Sequence, residues 1–230
     1  MGYVRVLVTD PVDDAGLDLL REAGHDVTTG HDLEGEQLLD AVRDVHALIV
    51  RSGTDVSESV FEAASELVIV GRAGIGVDNI DVDAATRHGV VVANAPEGNV
   101  RAAAEHTVAM TFAAARSIPQ AHARLREGEW AKSAYLGTEL NGATLGIVGL
   151  GRVGQEVAKR LDALGMELVV HDPYINQERA AQFGAELVED LDACLARADV
   201  ATVHTPLLPE TEGMIGAAEL ETLGDGFLVN

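Results

Sequence analysis

Gly149-Leu150-Gly151-Arg152-Val153-Gly154 follows the apolar run Leu145-Gly146-Ile147-Val148 and opens a helical stretch over residues 155–164. The next apolar run, residues 167–171, ends on Asp172, eighteen positions after Gly154. Strand, glycine turn, helix, strand and acid in this order fit the G-x-G-x-x-G dinucleotide fingerprint, whose acid stands about 20 positions on. Each glycine has a physical reason. Gly149 permits a tight turn, Gly151 lets a pyrophosphate approach bare backbone, and Gly154 lets the helix pack close to the sheet. The helix N-terminus offers free N–H groups and positive potential to phosphate. A carboxylate at Asp172 accepts hydrogen bonds from a ribose diol and repels a 2′-phosphate, which favours NAD over NADP. A structural turn capped by an Asp is the plainer alternative. The cofactor contacts expected from the turn are Gly149, Gly151, Arg152, Val153, Gly154 and Asp172.

Outward from this turn the chain alternates strand and helix. Residues 185–188, 200–203 and 227–229 read as further short strands. The run 200–203 ends in His204-Thr205-Pro206. In an open α/β sheet, ligands bind beyond the carboxyl ends of strands, so His204, Thr205 and Pro206 are expected to line the cofactor. A lone His is otherwise a satisfied structural residue. Upstream, runs 4–8, 47–50, 67–70 and 90–93 read as strands, with helices over 13–22 and 56–64. Asp13 reads as an N-cap and Gly24 as a C-cap. Alternation of this kind predicts parallel sheets covered by helices.

The turn formers Asn94-Ala95-Pro96-Glu97-Gly98-Asn99 mark a boundary. We therefore expect an α/β chain of two Rossmann/flavodoxin-like domains, residues 1–97 and residues 98–230. Residues 100–127 read as one long helix bent at Pro119.

Composition bounds the rest. The chain has 230 residues, 47% of them hydrophobic and 3% aromatic, so the core rests on Ala, Val, Leu and Ile. Thirty-eight acidic against 16 basic residues give a net charge of −22. That surface repels nucleic acid and anionic membranes. It suits either plain solubility or a cytoplasm rich in salt, where screening suppresses self-repulsion. No apolar run reaches 18 residues, the N-terminus lacks a signal pattern, and the spacing after Gly2 does not fit lipidation. With Cys194 as its single cysteine, a cytoplasmic location is expected. No His/Cys/Asp/Glu cluster has metal-ligand spacing.

Further stretches lie in order: Val50-Arg51-Ser52, Gly71-Arg72-Ala73-Gly74-Ile75-Gly76-Val77-Asp78-Asn79, Asn94-Ala95-Pro96, Ala104-Glu105 and Gly137-Thr138-Glu139-Leu140-Asn141-Gly142. The glycine turn, His171-Asp172-Pro173 and His204-Thr205-Pro206-Leu207-Leu208-Pro209 complete the series. Over nearly the whole chain it resembles the D-2-hydroxyacid dehydrogenase family. The resemblance implies an NAD-dependent enzyme that oxidises 3-phospho-D-glycerate to 3-phosphohydroxypyruvate, toward serine. It implies that residues 1–97 bind substrate, that residues 98–230 are an NAD-binding domain truncated at its C-terminal end, that the active site lies between the two, and that the protein is a homodimer or homotetramer. Arg51 and Arg72 match basic residues that meet the substrate's carboxylate or phosphate, for which a guanidinium offers paired hydrogen bonds. Gly74, Ile75 and Gly76 match the loop along substrate, with Ile75 also against the nicotinamide. Arg101 departs from the family's small polar residues and is expected to face solvent. The family's catalytic Arg, Glu and His are expected past Asn230, so these 230 residues are expected to bind NAD without turnover. The same resemblance allows glyoxylate, hydroxypyruvate or D-lactate as substrate. An NAD-sensing corepressor on this fold is the alternative from another class.

Overall fold

The computed structural model describes residues 3–230, so the reading made of Gly2 lies outside the described residues. The chain divides into two compact units, Met1–Asn99 and Val100–Asn230.

The first unit runs β1 (Arg5–Val8), α1 (Asp14–Glu22), β2 (Asp26–Thr29), α2 (Gly35–Ala41), β3 (Ala47–Val50), α3 (Glu58–Ala63), β4 (Ile69–Arg72), α4 (Val82–His88) and β5 (Val91–Asn94). Its five strands are all parallel, in the order β2-β1-β3-β4-β5. Strand order reverses between β1 and β3. Val8, Leu48, Val50 and Val70 are fully buried. Asp13 caps α1 by accepting from the Ala15 N–H, and Gly24, at φ +86, follows the C-cap Ala23.

Two elements differ from the sequence reading. The apolar run at 67–70 enters the sheet only at Ile69, and the strand continues through Arg72; Leu67 is buried beneath the preceding turn instead. Strand β2 lacks an apolar run because it is a sheet edge, with Asp26, Thr28 and Thr29 exposed.

The second unit runs α5 (Val100–Ala115), α6 (Ile118–Arg126), a 3-10 turn (Lys132–Tyr135), β6 (Thr144–Val148), α7 (Arg152–Asp162), β7 (Glu167–His171), α8 (Gln177–Ala181), β8 (Ala185–Leu187), α9 (Leu191–Arg197), β9 (Val200–Val203), α10 (Ala217–Leu223) and β10 (Phe227–Val229). Its five parallel strands take the order β10-β9-β6-β7-β8, the Rossmann arrangement with its reversal between β6 and β9. Leu145, Ile147 and Val148 of β6 are fully buried. Helix α7 buries Gly154, Val157, Ala158 and Leu161, an i, i+3, i+4, i+7 stripe against this core.

The single bent helix expected over 100–127 is two helices. Helix α5 ends at Ala115, and Ser117, in the left-handed region at φ +48, separates it from α6. Pro119 is the second residue of α6, where its missing N–H leaves no helix bond unmade. Helix α7 begins at Arg152, three residues earlier than expected, because Gly154 belongs to the helix rather than ending a turn. Arg101 is exposed. Among the described residues no helix is long and apolar enough to cross a membrane.

Candidate functional site: a glycine turn and an arginine crevice

In the second unit the glycine turn leaves the central strand at the point where strand order reverses. Its backbone is tied to both neighbours: the Gly149 N–H donates to the His171 carbonyl (2.9 Å) and the His204 N–H to the Val148 carbonyl (2.8 Å). Gly149 adopts φ +91, and a Cβ on it would stand 3.1 Å from the His204 carbonyl carbon and the Thr205 methyl. A Cβ on Gly154 would overlap the Gly149 carbonyl oxygen. A Cβ on Gly151 would meet nothing within 4 Å. So two glycines serve internal packing, and the third faces open space at the start of α7. The first-turn N–H groups of Arg152 and Val153 have no acceptor among the described residues. An anion seated over Gly151 would meet them along the helix axis.

Asp172 stands beside this turn at the end of β7. Its Oδ2 accepts from the Leu150 N–H (2.8 Å) and its Oδ1 from the Tyr174 N–H (2.9 Å). Each oxygen keeps a lone pair, and the side chain is half-buried. Gln155, which the sequence reading passed over, completes the grip on Leu150: its Nε2 donates to the Leu150 carbonyl (2.9 Å), and its Oε1 accepts from Arg179 (3.2 Å).

Across the reversal, β9 delivers His204, Thr205 and Pro206. The His204 Nε2 is buried without a hydrogen-bond partner among the described residues. Burial alone lowers its pKa from 6.5 to about 4, so the ring is neutral at pH 7. Thr205 and Pro206 line a cavity of about 450 Å³ with Val203, Leu207, Met214 and Leu220. Cys194 is no nucleophile here, since burial raises its thiol to about 11.

The first unit has its own crevice at its own reversal. A cavity of about 470 Å³ is lined by Pro11, Val12, Arg51, Ala73, Gly74 and Ala95, among others, all at the carboxyl ends of β1, β3, β4 and β5. Arg51 is exposed, its Nη1 reaches only the Pro11 carbonyl (3.3 Å), and no ion pair holds it among the described residues. Arg72 is placed differently. It is 9% exposed, its Nε donates to Asn79 Oδ1 (2.7 Å), and its Nη2 lies 3.7 Å from Asp78 Oδ1. Arg72 therefore braces the loop that it begins, while Arg51 faces the cavity. Gly74 lines that cavity with it. Ile75 is held through its carbonyl by Asn94 Nδ2 (2.7 Å). Gly76 packs beside Asp78 and Arg72, where a Cβ would stand 2.6 Å from Asp78 Oδ1. The sequence reading did not single out Asp10 or Asn79, which organise this crevice. The signal available was an acid directly after a parallel strand, in Thr9-Asp10-Pro11.

The residues around Gly151 and Asp172 fit a dinucleotide: open backbone for a pyrophosphate, unpaired N–H groups, and a carboxylate with acceptor capacity for a ribose. Among the described residues, no group of three or more His, Cys, Asp or Glu could hold a metal ion.

Comparison with known proteins agrees. Residues 108–230 match the D-isomer specific 2-hydroxyacid dehydrogenase, NAD binding domain. D-3-phosphoglycerate dehydrogenase of Archaeoglobus fulgidus is 47% identical over 226 residues, which are 98% of this chain and 43% of that protein. The chain thus spans about two fifths of the length of the curated relatives it matches. Among solved structures, the TT0316 protein from Thermus thermophilus superimposes with a TM-score of 0.86 at 34% identity, covering 95% of this chain and 70% of that one. The NAD+-bound 3-phosphoglycerate dehydrogenase of Entamoeba histolytica gives 0.79 at 29% identity, over 96% of this chain and 69% of that one. On this match to its second unit and the likeness along nearly its whole length, the chain belongs to the D-isomer specific 2-hydroxyacid dehydrogenase family.

Proposed function

We propose that this chain supplies the NAD site and a substrate-anion site of an NAD-dependent dehydrogenase that oxidises 3-phospho-D-glycerate to 3-phosphohydroxypyruvate. The observation that carries the reading is the unpaired Arg51 guanidinium lining a crevice in a chain of net charge −22. A strongly acidic protein needs such a local cation to hold a substrate bearing both phosphate and carboxylate. The names of relatives near 47% identity support the same substrate.

A bound NAD would supply the hydride acceptor for the substrate's C2. This chain's residues bind and orient. The N–H groups of Arg152 and Val153, over Gly151, take the pyrophosphate, and Asp172 takes the adenosine ribose hydroxyls. His204, Thr205 and Pro206 cover the nucleotide. Ile75 lies against the nicotinamide, Gly74 and Gly76 shape the loop along the substrate, and Arg51 takes its carboxylate or phosphate. Arg72 supports that loop from within. The hydroxyl proton goes to the family's His–Glu pair, and a third family residue, an Arg, fixes the carboxylate. We place all three outside these 230 residues.

The decisive experiment is a panel of 3-phospho-D-glycerate, D-glycerate and D-lactate offered with NAD or NADP to the whole protein. Preference for the phosphorylated acid with NAD is expected. Equal use of D-lactate would overturn the substrate assignment. The 230 residues alone should bind NADH without forming it from substrate; turnover would overturn the placement of the catalytic residues.

The same proposal covers a cytoplasmic homodimer or homotetramer with no nucleic acid or membrane partner. Exposed Ile118, Leu125 and Trp130, beside the cavity of α6, support self-association. The acidic surface supports a salt-rich cytoplasm. A melting temperature that is equal in dilute and multimolar KCl would remove that last point.

A further inference from the structure

In the first unit, five hydrogen bonds converge on the four residues that follow β3. From one side comes Asp10, only 8% exposed at the end of β1. Its Oδ2 accepts from the Arg51 N–H (2.5 Å) and the Thr54 N–H (3.2 Å), and the Thr54 hydroxyl donates to that of Thr9 (2.8 Å). From the other side comes Asn79, whose Nδ2 donates to the Arg51 carbonyl (2.8 Å) and the Thr54 carbonyl (2.6 Å). The remaining amide oxygen accepts from Arg72 Nε (2.7 Å). Gly53 lies against the same carboxylate: a Cβ there would stand 2.5 Å from Asp10 Oδ1 and push it aside.

This pattern divides the labour between the two arginines. The Asp10 carboxylate is engaged by backbone N–H groups and not by the Arg51 guanidinium, which stays unpaired at the cavity. Arg72 is turned inward, and its hydrogen bond toward the Arg51 turn runs through Asn79. A loop whose N–H and C=O groups are held from both sides presents its side chain from a fixed backbone, so less order has to be gained on binding.

We propose that Asp10 and Asn79 are positioning residues that clamp the Arg51 turn in its anion-binding geometry, with Asn79 coupling Arg72 to that turn. The proposal rests on the reading of Arg51 as the substrate-anion contact.

The test is an NMR titration of the 230-residue chain with 3-phospho-D-glycerate, read at the Arg51 Nε–H. Four variants are compared with the parent: Arg51→Gln, Asp10→Asn, Asn79→Ala and the double variant Arg51→Gln/Asn79→Ala. Loss of the charged contact in Arg51→Gln should weaken binding roughly tenfold or more, read in that variant and the double from backbone amides around the cavity. Asp10→Asn and Asn79→Ala should each weaken it roughly threefold to tenfold, with NADH affinity held within about twofold, because every bond to the Arg51 turn comes from the first unit. The double variant should bind no more weakly than Arg51→Gln alone, because a residue acting through Arg51 has nothing left to position. A full additive loss in the double variant overturns the proposal. So does unchanged affinity in Asn79→Ala while Arg51→Gln binds weakly. Parent-like affinity in Arg51→Gln instead removes the reading of Arg51 itself. Asn79→Ser, which keeps one donor, guards against misfolding; if both Asn79 variants lose the cooperative melting transition, Asn79 is a folding residue and the proposal is wrong.

Discussion

The two crevices grip a residue just past the strand in the same way and use the grip for different ends. Leu150 after β6 and Arg51 after β3 each give an N–H to a carboxylate from the neighbouring strand, Asp172 or Asp10. Each also receives a carboxamide donor on its carbonyl, from Gln155 or Asn79. The contents differ. Leu150 is 2% exposed and serves the core, while its acid Asp172 is half-buried with lone pairs to offer. Arg51 is exposed and free, while its acid Asp10 is buried and occupied by backbone. On the proposed function, the acid is the receptor and the gripped residue the anchor in one unit, and the roles are exchanged in the other. Position in the fold alone therefore does not tell a ligand-binding carboxylate from a scaffolding one. Exposure and remaining hydrogen-bond capacity do.

The largest expected effect tests whether the glycine turn separates packing from binding. Gly154→Val drives side-chain atoms into the Gly149 carbonyl, and overpacking of this kind costs about 3 kcal/mol or more. The second unit should lose both its melting transition and NADH binding. Gly151→Ala adds a methyl group that meets no protein atom, at an ordinary φ of −70. Its melting temperature should stay within about 2 °C of the parent, while NADH binding, followed by calorimetry, weakens about tenfold. Parallel losses of stability and binding in Gly151→Ala would break the separation.

His204 has no counterpart in the first crevice, and pH isolates it. Its pKa is about 4 in the folded chain against 6.5 for the free side chain, because burial opposes the charge. Above pH 6.5 both states are neutral and the residue adds no slope. As pH falls from 6.5 toward 4 the unfolded chain takes up the proton first, and stability drops by on the order of 3 kcal/mol. Glu156 acts in a lower window. Its bonds to Arg160 and Lys159 hold it down at about 2, so its contribution is lost only as pH falls from 4.5 toward that value. Denaturant melts of His204→Gln should flatten the slope between pH 6.5 and 4 and leave the lower window unchanged. An unaltered slope would show that His204 is not held neutral by burial.

Asp172 is the sharper test of receptor against scaffold. Asp172→Asn keeps an oxygen for the Leu150 N–H but loses the charge and the repulsion of a 2′-phosphate. NADH affinity should fall about tenfold, the loss of one charge-assisted hydrogen bond, and the preference over NADPH should narrow. Unchanged discrimination would make Asp172 a second Asp10, a brace and nothing more.

Much of this was legible in the sequence, because both sheets are parallel and buried. Runs such as Glu167–His171 and Val200–Val203 have the bounds expected from apolar length alone. The edge strand β2 was not legible, since Asp26, Thr28 and Thr29 face solvent and leave no apolar signal. The break at Ser117 was missed because a left-handed Ser has no sequence signature, whereas Pro119 has a strong one that drew attention two residues too far. At the crevices, sequence separated the glycines well. A Cβ is excluded at Gly149 by its φ of +91 and at Gly154 by its approach to the Gly149 carbonyl, while at Gly151 no protein atom excludes it. Sequence could not separate Arg51 from Arg72, because both stand at the carboxyl ends of strands, and the partners Asp78 and Asn79 that hold one of them inward are seen only in the fold.

The smallest expected effect compares the two carboxamides. Asn79 holds two carbonyls and accepts from Arg72, so its loss disturbs three groups at once. Gln155 holds the Leu150 carbonyl alone and accepts from Arg179, whose guanidinium also stacks 5.0 Å from the Phe183 ring. The turn that Gln155 supports is already fixed by the backbone bonds of Gly149 and His204 and by Asp172. Gln155→Ala should therefore cost about 0.5 kcal/mol, the low end for one hydrogen bond, and weaken NADH binding by less than about threefold. A tenfold loss, measured by the same calorimetry, would mean that the glycine turn depends on a side-chain clamp as the Arg51 turn is proposed to do. The two units would then share a mechanism of support despite their different strand orders.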